Sequence, residues 1–237
     1  MLVGKDFDKI KFEAFGLDLL EPNAFISDTL ILLVSLFVAY KIGRMRRQEP
    51  FFKNWKLFFI VFGVAAFLGG AGHLLFNYFG VIGKEPAWYL IVLSVFYLER
   101  GMISIHSSIR FKNFIEKFIV VKLVLALIAV FIVCRTANLD EDPYIGMQVP
   151  TINSAIGLFF SLGYLGFSYS KNINAKFRYM WVSLLIILPS IVIQSLKLNP
   201  FSWFDRNDLS HILLIIAVCF YYISIKGYSR HLGTISA

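Results

Sequence analysis

The sequence predicts an all-α, polytopic integral membrane protein with seven transmembrane helices, its N-terminus outside and its C-terminus cytoplasmic. Three observations carry this. Apolar residues make up 58% of a 237-residue chain whose mean hydropathy is +0.70, more than a soluble core of that size needs. Apolar runs close to the roughly 20 residues that cross about 30 Å of hydrocarbon recur along it. Lysine and arginine collect at alternate connections, as they do on a cytoplasmic face. With such patterning the formal charge of +8 points to loop orientation rather than to nucleic acid.

Taken in order, residues 1–21 place Phe7, Ile10, Ala14 and Leu17 at helical spacing, which predicts an extracytoplasmic segment forming a short interfacial amphipathic helix or a frayed tail. A seven-helix domain follows over 22–230, then a short cytoplasmic tail, 231–237. The spans are expected near residues 24–42, 55–79, 86–109, 116–136, 147–169, 177–197 and 208–227. No short apolar run behind a basic N-terminus reads as a cleavable signal, so the first span is expected to act as the insertion signal. The absence of eukaryotic sorting signals favours a bacterial inner membrane. Cys134 and Cys219 fall in different spans at different depths and form neither a disulfide framework nor a metal-binding pair.

The basic residues test the layout. Lys41, Arg44, Arg46, Arg47, Lys53, Lys56, Arg110, Lys112, Lys117, Lys122, Lys171, Lys176, Arg178, Lys226 and Arg230 fall on one side, fifteen against seven on the other, with Arg100 inside a span. The sparse side also carries the acidic run Asp140, Glu141 and Asp142. Trp55, Trp88, Trp181 and Trp203 sit near the expected interfaces. FKNW at 52–55 and FKNF at 111–114 read as a trace of a repeat or as convergence on one interfacial composition.

Polar residues inside apolar spans are the candidate site, because lipid makes them costly. Asp28 lies about one turn into span one, His73 and Asn77 near the outer end of span two, and Asn207, Asp208 and His211 at the entry to span seven. Gln194 and Asn153 belong to the same half. Ala66, Gly69, Gly70, His73 and Asn77 share a stripe whose small residues allow a neighbouring helix to approach. Such a set can hold zinc through His73 and His211, with Asn207 or Asp208 as third ligand and Asp28 behind them as base or orienting group. The plainer reading is hydrogen bonding from helix to helix. A second candidate is Glu99 and Arg100 in span three. Glu99 faces the same way as Ile103 and His106, and Arg100 the same way as Ser104 and Ser107. This pair reads as an interhelical ion-pair network or as part of a proton path.

Seven spans, with His73 near the end of span two and His211 one turn into span seven, resemble the CREST superfamily of membrane hydrolases, which includes alkaline ceramidases and progestin and adiponectin receptor-like proteins. The resemblance implies zinc held by His73 and His211. Asn207 stands at the position of a further histidine in an H-x-x-x-H pattern, and Gly69 at that of a serine four residues before His73. It implies metal-assisted hydrolysis of a lipid amide or ester drawn from the bilayer. The competing expectation is a noncatalytic seven-helix subunit or binding protein that associates with other membrane proteins. A retinal protein needs a lysine inside span seven, where the chain has Ala217, Val218 and Cys219. Span seven also lacks the N-P-x-x-Y of G-protein-coupled receptors.

Overall fold

A computed structural model describes residues 1–139, 141–142 and 144–235; Asp140 of the acidic run and residues 236–237 of the tail lie outside them. Among the described residues the fold is all-α apart from a small hairpin, and seven helices are long and apolar enough to cross a membrane.

The N-terminal segment differs from the helix expected of it. β1 (Lys11–Ala14) pairs antiparallel with β2 (Leu17–Leu20). The reason is the turn: Phe15 and Gly16 both adopt left-handed backbone, at φ 55° and 73°, which closes a two-residue hairpin with the right twist. A helical spacing of four apolar residues does not outweigh a turn that fixes the register.

α1 (Pro22–Gly43) and α2 (Pro50–Leu74) each open on a proline, whose fixed φ and missing N–H suit a first helical turn. α2 stops at Leu74 rather than running on to 79. Leu75 leaves helical geometry, and a four-residue helix (Phe76–Phe79) and a 3₁₀ turn (Gly80–Lys84) lead into α3 (Glu85–Ile103). Asn77 therefore leaves the His73 stripe. α4 (Ile109–Thr136) follows, then α5 (Tyr144–Asn172), α6 (Ala175–Ser195) and α7 (Arg206–Ile235). α5 carries Pro150 in its first half and a π-helical segment over Phe159–Leu165, and Pro189 breaks the helical run of α6.

α2 lies between α1 and α3, and α7 returns to pack on α1 and α6. α4 is peripheral: Val121, Leu125, Ile128 and Phe131 are exposed along it, as suits a face turned to lipid. At the end of the bundle away from the hairpin, Phe51, Phe52, Trp55, Phe58, Phe59, Phe177, Tyr221 and Tyr228 form one aromatic cluster. This corrects one expectation and bears on another reading. Trp55 and Trp88 are core residues at 0% and 3% exposure, not interfacial anchors. Phe52 and Trp55 are buried whereas Phe114 is 66% exposed, so the two FKN stretches do different jobs and the repeat gains nothing from the structure.

The small-residue stripe does bring α1 and α2 close. A Cβ added to Gly70 would lie 2.8 Å from Asp28 Cβ and 3.1 Å from Phe25 Cα, whereas one added to Gly69 would meet nothing nearer than 3.8 Å. Gly70→Ala should therefore cost about 1–3 kcal/mol through forced separation of the helices, and Gly69→Ala should stay within about 0.5 kcal/mol of wild type. Thermal unfolding of the two variants in detergent checks the contrast.

Candidate functional site

At the hairpin end of the bundle, polar side chains from four elements converge around the start of α1. α7 begins with a reciprocal cap. Asp205 Oδ1 accepts from the Asn207 N–H at 2.7 Å, and Asp208 Oδ2 accepts from the Asp205 N–H at 3.1 Å. The same Asp208 oxygen accepts from Asn23 Nδ2 of α1 at 2.8 Å, which fixes the register of α1 on α7. One turn along, His211 Nδ1 lies 2.8 Å from Ser27 Oγ, and its Nε2 lies 3.5 Å from Asp28 Oδ1. Asp28 is 6% exposed and sits against Gly70, so the close α1–α2 approach is what buries it.

His73 serves a different carboxylate. Its Nδ1 lies 2.8 Å from Glu21 Oε2, and the Lys84 ammonium lies 3.0 Å from its Nε2. Lys9 reaches the same Glu21 oxygen at 3.1 Å. Glu21 lies just ahead of α1, and burial pushes its carboxyl up; the hydrogen bond and charge of His73, with the Lys9 ammonium, outweigh this and hold it at about 2, below the 4.5 of an ordinary Glu. A carboxyl lowered by folding stabilises the fold fully above about pH 4.5 and loses that contribution as pH falls toward 2. Unfolding in detergent should show wild type losing about 1–3 kcal/mol between pH 6 and pH 2.5 that Glu21→Gln does not lose.

The segment before α1 closes over this cluster. The Asp18 N–H donates to Tyr78 Oη at 2.9 Å and Asn77 Nδ2 donates to the Asp18 carbonyl at 3.2 Å. Asn199, 1% exposed, donates to the Lys5 carbonyl and to Asp6 Oδ1, and Arg206 pairs with Asp6 at 2.9 Å.

The expected zinc ligands divide accordingly. His73 and His211 are committed to separate carboxylates, an ammonium stands against the free edge of His73, and Asn207 Oδ1 accepts from Gln194 Nε2 at 3.2 Å. Among the described residues, no three His, Cys, Asp or Glu side chains gather as a ligand set. A lysine beside an imidazole nitrogen repels a second cation, so this arrangement does not fit zinc. Asp208 ties α1 to α7, Asn77 ties down the hairpin, and Gln194 joins α6 to the start of α7 through Arg206, Asn207 and Ser210. Asp28 and His211 do come together. Sequence reasoning missed Glu21 and Lys84 as site members; Glu21 stands directly before Pro22 and Lys84 directly before Glu85, where a helix opens, and that position was the available signal. Ser27 was visible only as the neighbour of Asp28.

The second candidate also changes. Glu99, 2% exposed, pairs with Lys122 Nζ at 3.0 Å, and Lys122 donates in turn to Asn153 Oδ1 at 2.8 Å. Lys122 is thus not in a flank between spans three and four but midway along α4. Arg100 is exposed one turn from the end of α3, with its guanidinium 5.5 Å from the Phe96 ring centroid, as snorkelling toward the interface requires. His106 lies beyond α3; its Nδ1 accepts from the Ser108 N–H at 3.1 Å, so it does not share the Glu99 face.

Residues 24–230 match a family model described as a family of unknown function (DUF6962). No curated protein matches the chain.

Proposed function

The chain belongs to the DUF6962 family of unknown function, and from the geometry at its hairpin end we propose that it is a metal-independent hydrolase of a lipid ester or amide. The carrying observation is the row Ser27 Oγ, His211, Asp28, with the hydroxyl 2.8 Å from one ring nitrogen and the carboxylate 3.5 Å from the other. A nucleophile within hydrogen-bond reach of a base that a third group orients is the signature of an activated serine, whatever the fold. Ile26 and Leu30, 57% and 49% exposed, flank Ser27 on the open face of α1. An acyl chain can lie along that face with its carbonyl at the hydroxyl.

In this reading Ser27 Oγ adds to the substrate carbonyl as its proton passes to His211, and Asp28 holds the imidazolium. His211 returns the proton to the departing alcohol or amine, leaving an acyl-serine. A water then gives a proton to His211 and its oxygen to the acyl carbon, and Ser27 takes that proton back as the carboxylic acid leaves. The CREST-like span layout supplies the substrate class; the zinc of that resemblance is not carried over. The excess of Lys and Arg at the opposite end of the bundle supports a site facing outward, and on this reading it lies in the outer half of a bacterial inner membrane.

Purified protein presented with a panel of lipid esters and amides should release fatty acid at a rate unchanged by a zinc chelator. Release abolished by chelation and restored by zinc would replace the serine mechanism with a metal one. A second reading, a noncatalytic membrane subunit, is favoured by one contact: Ser27 Oγ also donates to the Ala24 carbonyl at 3.1 Å, as a serine does when it only satisfies its own helix. That reading predicts no release from any lipid and co-purification of a partner protein.

A further inference from the structure

At the far end of the bundle, α1 and α7 leave between them an open cavity of about 270 Å³ whose lining includes Lys41, Arg44, Lys226 and Arg230 together with Tyr222 and Ser229. No carboxylate is among the described residues that line it. Four cations around one small cavity repel one another, and an anion with several acceptor oxygens relieves that repulsion while taking their N–H donors. Three of these side chains are held in place nearby: the Lys41 ammonium lies 5.3 Å from the Phe37 ring centroid, Arg44 donates to Tyr40 Oη at 3.0 Å, and the Lys226 ammonium lies 5.9 Å from the Tyr222 ring. Arg47, next in the same connection, is engaged elsewhere, donating to the Ser229 carbonyl at 2.8 Å and pairing with Glu49. It is not among the lining residues, and the four lining cations remain for a ligand.

The surroundings select the kind of anion. The cavity lies where two apolar helices reach their basic ends, the level at which phospholipid headgroups sit. Toward the middle of the bundle, Phe37 of α1 and Ile223 of α7 are 57% and 40% exposed, apolar surface one helical turn from Lys41 and Lys226 respectively. A free phosphate would use only the mouth; a lipid uses both. We propose that this cavity binds the phosphate headgroup of an anionic phospholipid, with an acyl chain along the Phe37 and Ile223 face. The site is separate from the Ser27 cluster at the other end of the bundle and does not depend on the hydrolase reading.

The test is thermal unfolding of the full chain in a neutral detergent with added phosphatidylglycerol, phosphatidylcholine or inorganic phosphate, read beside native mass spectrometry of the lipid-bound protein. Wild type should gain roughly 5–10 °C with phosphatidylglycerol at about a hundredfold above its Kd and retain one such lipid in the gas phase. The double variants K41Q/R44Q and K226Q/R230Q should each lose both effects. K171Q/K176Q, which removes two positive charges outside the cavity, should keep them and serves as the folded control for charge. Equal protection by phosphatidylcholine or by inorganic phosphate overturns the assignment, and so does protection by phosphatidylglycerol that survives in both cavity variants.

Discussion

Ser27→Ala is expected to lower the hydrolytic rate of the purified protein by at least about a thousandfold, and His211→Ala by a similar factor, with the double variant no worse than either alone. Groups that act as one unit lose their effect together, so their penalties do not add. Asp28→Asn should leave the imidazole without its orienting charge, a loss of about 10²–10⁴-fold. These factors separate catalysis from packing. If Ser27 and His211 merely joined α1 to α7, losing one hydrogen bond would cost about 1 kcal/mol of stability and leave any activity within a few fold. Asn23→Ala supplies the comparison: it breaks the Asp208 contact of 2.8 Å without touching Ser27, and should move stability while moving the rate little. Rates for all five variants, measured on one lipid ester at saturating and limiting concentration, check the pattern.

The largest effect on stability is expected at Lys122. Lys122→Met should destabilise the bundle by about 3–5 kcal/mol, because it strands a carboxylate that is only 2% exposed and leaves Asn153 Oδ1 without the ammonium that donates to it. The surroundings cannot close up on the loss: Gly157 gives Glu99 its space, with a Cβ there falling 3.1 Å from Oε1, and a small cavity of about 130 Å³ borders Glu99 on the side of Ile115 and Phe160. Glu99→Leu combined with Lys122→Met removes both charges and should recover most of the stability, since a buried ion pair contributes little net energy against apolar residues of similar volume. Unfolding of the single and double variants in detergent gives the coupling directly. A single variant within about 1 kcal/mol of wild type would mean that the pair is solvated rather than buried.

The spans were legible because each is a run of apolar residues long enough to cross a membrane, a signal that survives ignorance of every contact. Their ends were not. Nothing in the apolar content of Leu74–Leu75 or of Ile103–Ser104 marks a stop, and those two stops removed Asn77 and His106 from the faces assigned to them. Lys122 was counted with a loop because a lysine near a span's end is usually outside it; only the buried carboxylate of Glu99, on another helix, explains why this one lies within. The hairpin was hidden by Phe15, a residue that seldom takes positive φ. Asp28 and His211 were recognisable as costly groups in lipid, but the partner of His211 lies 184 positions away at Ser27, a pairing that one sequence does not display. Lys84 carries the chief lesson of the site: the two histidines suggested a metal, and a lysine contributed by the turn before α3 turned one of them to another use.

The most direct measurement is covalent labelling of the folded protein in detergent with a lipophilic fluorophosphonate, followed by peptide mass spectrometry. The account predicts one phosphonyl group per chain on the peptide containing Ser27, none in Ser27→Ala and sharply slowed labelling in His211→Ala. A wild-type protein that hydrolyses lipid but takes no label, or a label that persists unchanged in Ser27→Ala, would contradict it.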